Sequence, residues 1–252
     1  MDFLFDKKKI TQNFNWLFVD KILKLSLGML VISIAAKGFG PSEFGSFNLA
    51  QSLVMIMIPF MTLNLDNIII NKINQFPKKT SEILGTSFVI KFFMSTLSII
   101  LFSITTLTFE LIDSNVSVMM FILLCGYFFQ SFDVIDFLFQ SNLLSKHVVK
   151  IKSINFILCS LLKIFAIYKE LPLYIFVIIF SVEFLLNAIG LLIMYRKRYS
   201  YKINKWSFDY ILFVDILKSG IPMFFSAIVI IIYTRIDQIM IGKIIGVSEV
   251  AK

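Results

Sequence analysis

The chain has 252 residues, of which 58% are hydrophobic and 16% charged, with a mean hydropathy of +0.87 and a net charge of +8. A soluble domain carries about 45–50% apolar and about 25% charged residues, so this composition excludes an ordinary water-soluble domain. The positive charge lies in short tracts between long apolar runs, which is the pattern of loops flanking membrane spans and not of a basic surface for nucleic acid.

A bilayer core of about 30 Å takes about 20 mostly apolar residues as helix. Seven segments in chain order can fill that role. Residues 25–36 alone separate Lys24 from Lys37, so the first span starts near Asn15, with Trp16 as an interfacial anchor. Asp20 and Lys24, four apart, pair on one face of it. A signal peptide ending at Ala35 and Ala36 is the competing reading of this start. Residues 44–65 are uncharged and contain Pro59; residues 83–109 are interrupted by Lys91. Residues 114–132 are uncharged, and the apolar run continues past Asp133 and Asp136 to 139. Residues 153–168 contain Lys163, residues 171–195 contain Glu183, and residues 219–241 carry Arg235 and Asp237 near their end. Continuous runs of this length are helices, because barrel strands alternate and are about ten residues long. The expected fold class is all-α, a polytopic transmembrane helix bundle.

The connections alternate in charge. Residues 67–82, 140–152 and 196–218 are rich in Lys and Arg, whereas 110–113 and 169–170 are not. The positive-inside rule then places the N-terminus and the three basic connections in the cytoplasm, with one crossing per segment. Residues 206–217 read as an amphipathic stretch, either an interfacial helix or a plain extension of the next span. Ser219 is the expected N-cap of that span, with Pro222 in its first turn. Cys125 and Cys159 lie inside apolar runs and read as small core hydrophobes. The single histidine, His147, lies in a basic connection. No metal site and no cofactor is expected.

Ionisable side chains inside a membrane cost roughly 2.5–3.5 kcal/mol each at the helix centre, so they face a partner or a polar path. Lys91, Lys163, Glu183, Arg235 and Asp237 are such residues, with Asp133 and Asp136 nearer a helix end and sharing one face. Pairing of Lys163 with Glu183 on the neighbouring helix is the structural alternative to a transport role.

Two short stretches repeat. Gly40-Pro41-Ser42-Glu43-Phe44 follows the first span and Gly246-Val247-Ser248-Glu249-Val250 follows the seventh, with Lys37 and Lys243 three residues before the glycines. Repeated halves related by an axis along the membrane normal are a transporter architecture.

The run Asn15-Trp16-Leu17-Phe18 leading to Asp20-Lys21, with Lys37 to Phe47, resembles the opening of bacterial polysaccharide flippases of the multidrug/oligosaccharidyl-lipid/polysaccharide exporter superfamily. Gly220-Ile221-Pro222, residues 233–242 and the second repeat resemble that family's seventh helix and the turn after it. Lys37 stands where the family has arginine, and Ala251-Lys252 where it continues with glycine, an aromatic and alanine.

The resemblance implies a twelve-helix, two-lobe fold. Residues 1–195 would be the six-helix N-terminal bundle, 196–218 a cytoplasmic linker with an interfacial helix, and 219–252 the first helix of an incomplete second bundle, so that the chain is expected to be a truncated part of the whole, with a half-transporter that dimerises as the alternative. It also implies flipping of polyprenyl-diphosphate-linked oligosaccharide across the bacterial inner membrane, for O-antigen, lipopolysaccharide or capsule synthesis. Membrane lipids and a polysaccharide polymerase or ligase of the same pathway are the implied partners. For an anionic diphosphate, Lys91, Lys163 and Arg235 are the expected substrate path, and Asp133, Asp136, Glu183 and Asp237 the expected ion-coupling groups. A cation-coupled drug exporter of the same superfamily and a membrane enzyme of polysaccharide assembly are the competing functions.

Overall fold

The computed structural model describes residues 7–109, 113–199 and 205–244. The acidic turn at 110–112, residues 200–204 of the basic linker and the second repeat at 246–250 lie outside the described residues. The regular elements among the described residues are all helical: α1 (Lys7–Thr62), α2 (Asp66–Gln75), α3 (Thr80–Phe109), α4 (Ser114–Phe128), α5 (Val134–Ser141), α6 (Ser145–Tyr168), α7 (Leu173–Arg198) and α8 (Tyr210–Ile244). Short 3-10 turns at Pro77–Lys79 and Phe129–Asp133 link α2 to α3 and α4 to α5.

Six largely helical stretches among the described residues are long and apolar enough to cross a bilayer, the first of them running through α1 and α2. At about 1.5 Å per residue α1, with its 56 residues, would measure roughly 84 Å if straight, far more than one hydrocarbon core. It is broken at Gly40, where φ is 76° and ψ is 169°. Glycine enters that region without a β-carbon penalty. Pro41 follows at the start of the second arm, where a missing N–H is harmless. The break divides α1 into two arms, the stretches in which the sequence places its first and second spans.

Contacts between distant segments fix which ends meet. Ser145 N–H donates to Asn13 Oδ1 at 2.9 Å, and Asn142 Nδ2 donates to the Tyr199 hydroxyl at 3.1 Å. Lys72 pairs with Asp215, and the Ser81 hydroxyl donates to the Lys205 carbonyl. The N-terminal arm and the three basic connections therefore gather at one end. At the opposite end the Tyr174 hydroxyl donates to Asn115 Oδ1 at 3.0 Å. This is the alternation of ends that the charge pattern required.

Two cores fill the bundle. One, toward the opposite end, is built around Ala35, Phe44, Phe47, Leu123 and Phe176. The other, toward the basic end, is built around Leu65, Ile69, Ile83, Phe139 and Leu191. Between helices in lipid, close packing and hydrogen bonds replace the hydrophobic driving force. Phe93, Leu161, Ile193 and Val229 are each more than half exposed, as lipid-facing residues should be.

The start of α8 differs from expectation. Asp209 Oδ1 accepts from the N–H groups of Ile211 at 2.7 Å and Leu212 at 3.1 Å. Asp209 is therefore the N-cap, not Ser219, and Pro222 lies inside the helix. Of the two readings of 206–217, the plain helical extension is the one seen from Tyr210 onward, with Leu212 and Ile216 buried. The expected boundary at 218/219 thus falls within a helix. Its 35 residues measure roughly 52 Å, so the first turns of α8 stand clear of the hydrocarbon core.

The linker before α8 is strapped to α3 and α7. Trp206 Nε1 donates to the Tyr195 hydroxyl at 2.9 Å, and its indole packs edge-on against Phe88 and Tyr195. Asp209 N–H donates to Thr86 Oγ1 at 3.0 Å. Gly85 makes this approach possible, because a β-carbon there would lie 2.5 Å from the Ser207 carbonyl oxygen. Gly85→Ala is expected to destabilise the protein by about 1–3 kcal/mol, the range for overpacking. Limited proteolysis within 205–209 should accelerate; unchanged cleavage would contradict the strap.

Candidate functional site: charged side chains inside the bundle

Helical side chains slant toward the N-terminus of their own helix. α3 and α6 begin at the basic end, so Lys91 and Lys163 lean that way. α7 begins at the opposite end, so Glu183 leans toward it and meets Lys163. Lys163 Nζ donates to Glu183 Oε2 at 3.0 Å and sits 4.3 Å from the centre of the Phe180 ring. Both side chains are largely buried, at 4% and 15% exposure. The pairing offered by the sequence as the structural alternative is present.

Lys91 is held more loosely. Its Nζ lies 3.6 Å from Asp66 Oδ1, beyond hydrogen-bond length, and 4.7 Å from the centre of the Phe137 ring. The Lys91 side chain is 2% exposed, whereas Asp66 is 52% exposed. Ser87, Ser95 and Ser98 are buried on the same face of α3. Ser95 donates to the Met61 carbonyl at 3.4 Å and Ser98 to the Met94 carbonyl at 2.8 Å. Ser87 Oγ is buried and has no hydrogen-bond partner among the described residues. This hydroxyl stripe escaped the sequence reading, although the spacing 87, 91, 95, 98 carries the helical period.

Asp133 and Asp136 do share a face, and a lysine occupies it. Lys152 Nζ donates to Asp133 Oδ1 at 2.9 Å and to Asp136 Oδ2 at 2.6 Å. Gln140 Nε2 donates to Asp136 Oδ1 at 3.0 Å. Lys152 read as a connection residue in the sequence; it lies in α6 because that helix starts at Ser145. Beside it, Ser153 Oγ donates to Asp20 Oδ1 at 2.8 Å, and Lys24 donates to Asp20 Oδ2 at 2.7 Å, the pair expected on the first helix. A polar chain thus joins α1, α6 and α5. Near it, burial pushes the Tyr199 hydroxyl pKa up, keeping it the neutral acceptor for Asn142.

Arg235 is half-buried on α8. It and Glu183 both lie within electrostatic reach of buried Tyr127. Asp237 is exposed. The structure joins Lys163 to Glu183. It sets Asp133 and Asp136 apart with Lys152, and Lys91 apart with Asp66.

The sequence model of the polysaccharide biosynthesis protein family matches residues 10–252. The chain belongs to that family. No curated protein and no solved structure matches it significantly. The match covers both motif-specific stretches on which the resemblance to polysaccharide flippases rested. This polysaccharide biosynthesis protein is accordingly a multi-pass membrane protein, in which Lys91, Lys152 and Lys163 meet carboxylates on other helical elements.

Proposed function

We propose that this polysaccharide biosynthesis protein flips polyprenyl-diphosphate-linked oligosaccharide repeat units across the bacterial inner membrane by alternating access, with the basic end and the N-terminus in the cytoplasm. The end product is a surface polymer such as O-antigen, lipopolysaccharide or capsule, and a polymerase or ligase would take over the flipped unit. The role is transport and not catalysis.

The observation that supports this reading most is the state of Lys91. A diphosphate entering hydrocarbon loses its hydration, and a cation fixed in advance offsets part of that loss. The Lys91 ammonium is buried, its carboxylate partner is at 3.6 Å, and that partner is half in solvent. A diphosphate can displace Asp66 from such a pair. The unpartnered Ser87 hydroxyl, one turn away, would donate to it. Lys163 and Arg235 would extend the path, Lys163 once its pair with Glu183 parts. Asp133, Asp136, Glu183 and Asp237 remain the proposed coupling groups, and an ion taken up between the two aspartates would have to displace Lys152.

The test is reconstitution of the chain into liposomes holding a fluorescent polyprenyl-diphosphate oligosaccharide in the inner leaflet. Its appearance in the outer leaflet should outpace both protein-free liposomes and a probe with an uncharged linkage. Equal rates with and without protein would refute the proposal. Faster movement of the uncharged probe would point to the drug-exporter alternative.

A further inference from the structure

We infer that the basic end carries a binding site for the headgroup of an anionic phospholipid, formed by the starts of α1 and α6 and the end of α7. Trp16 of α1 lies beside Lys146 and Lys150 of α6, whose ammonium groups stand 5.5 and 5.8 Å from its ring centre. The two lysines are four apart and share one helix face. Both are exposed, and neither is in an ion pair among the described residues. His147 lies between them in sequence, and the charged groups within its electrostatic reach are Arg198, Lys146 and Lys150, all basic. Asp20, one turn below Trp16, is already held by Lys24 and Ser153.

This cluster is electrostatically incomplete. A helix N-terminus carries partial positive charge and favours acidic residues, not basic ones. α6 has no acidic residue in its first turn and places Lys146 and His147 there; the one side chain that meets its first N–H is the neutral Asn13. An anion with several acceptor oxygens would complete the exposed cluster of Lys146, Lys150 and Arg198.

The level of the cluster identifies the anion as a lipid phosphate. Phe14 and Phe18, one residue pair flanking Trp16 on α1, are 64% and 54% exposed, so this stretch of α1 meets acyl chains. An indole between lysines at that depth is an interfacial arrangement, and basic pockets between spans at the cytoplasmic face hold anionic headgroups. The inference does not depend on the protein being a flippase.

The test is lipid titration of the full chain in micelles, read by native mass spectrometry, with phosphatidylglycerol and phosphatidylcholine as probes. The wild-type chain should retain one phosphatidylglycerol in preference to phosphatidylcholine. The Lys146→Gln, Lys150→Gln double variant should bind phosphatidylglycerol about thirtyfold more weakly, from the usual contribution of two basic side chains near an anionic lipid. The corresponding double arginine variant should keep the preference and shows that the fold is intact. Three results would overturn the inference: no headgroup preference in the wild-type chain, an unchanged preference in the double glutamine variant, or displacement of the lipid by inorganic phosphate, which would mark a site for free anions.

Discussion

Replacing Lys163 with alanine is expected to destabilise the protein by about 3–5 kcal/mol, because Glu183 would be left charged and unpaired inside the bundle. The pair joins α6 to α7 through a 3.0 Å hydrogen bond between two largely buried side chains. Replacing both residues with apolar ones of similar volume should recover most of that loss, since a buried ion pair is often no better than good packing. The measurement is the unfolding midpoint of Lys163→Ala, Lys163→Leu, Glu183→Leu and the Lys163→Leu, Glu183→Leu double variant in the same detergent. Strictly additive losses would show that the two side chains do not act as a pair. Flipping should be compared with that stability series, because a transport defect in Lys163→Ala alone does not separate a path residue from a broken clasp.

Lys152→Met should be at least as damaging. Its ammonium is the common partner of Asp133 and Asp136, at 2.9 and 2.6 Å. Without it two carboxylates face each other in a partly buried site, a like-charge contact inside an apolar bundle. The expected loss is again about 3–5 kcal/mol, seen as a lower midpoint and poor insertion yield. Adding Asp133→Asn and Asp136→Asn should restore stability. If the restored triple variant also keeps ion-dependent flipping, the two aspartates are structural and not coupling groups. If Lys152→Met is as stable as the wild type, the network does not carry the junction between α5 and α6.

Most spans were legible because their apolar runs match the length a bilayer demands, the short runs 25–36 and 153–168 being completed by neighbouring helical turns, and the ends were legible because lysines cluster in alternate connections. The turn between the first two spans was visible as Gly40-Pro41, whose positive φ the structure records. The cap of α8 was misplaced for a physical reason. The apolar run starts near Ser219, but the helix starts two turns and more earlier, where Asp209 can cap it outside the hydrocarbon. Lys152 was misread in the same way, as loop charge, since hydropathy marks where lipid begins and not where a helix begins. The partners of Lys91 and Lys152 lie on other helices, and no local period in the sequence reports them. Lys163 with Glu183 was within reach because two consecutive antiparallel spans each hold one opposite charge.

The most direct measurement is the initial rate of diphosphate-linked oligosaccharide flipping by Lys91→Gln and Lys91→Arg in liposomes, at matched unfolding midpoints. Lys91→Gln is expected to be slower by about tenfold or more, the effect of losing one charge-assisted contact of roughly 1.5–3 kcal/mol, with much of the rate kept in Lys91→Arg. A Lys91→Gln protein that flips as fast as the wild type would rule out Lys91 as a substrate-path residue and leave it as the structural partner of Asp66.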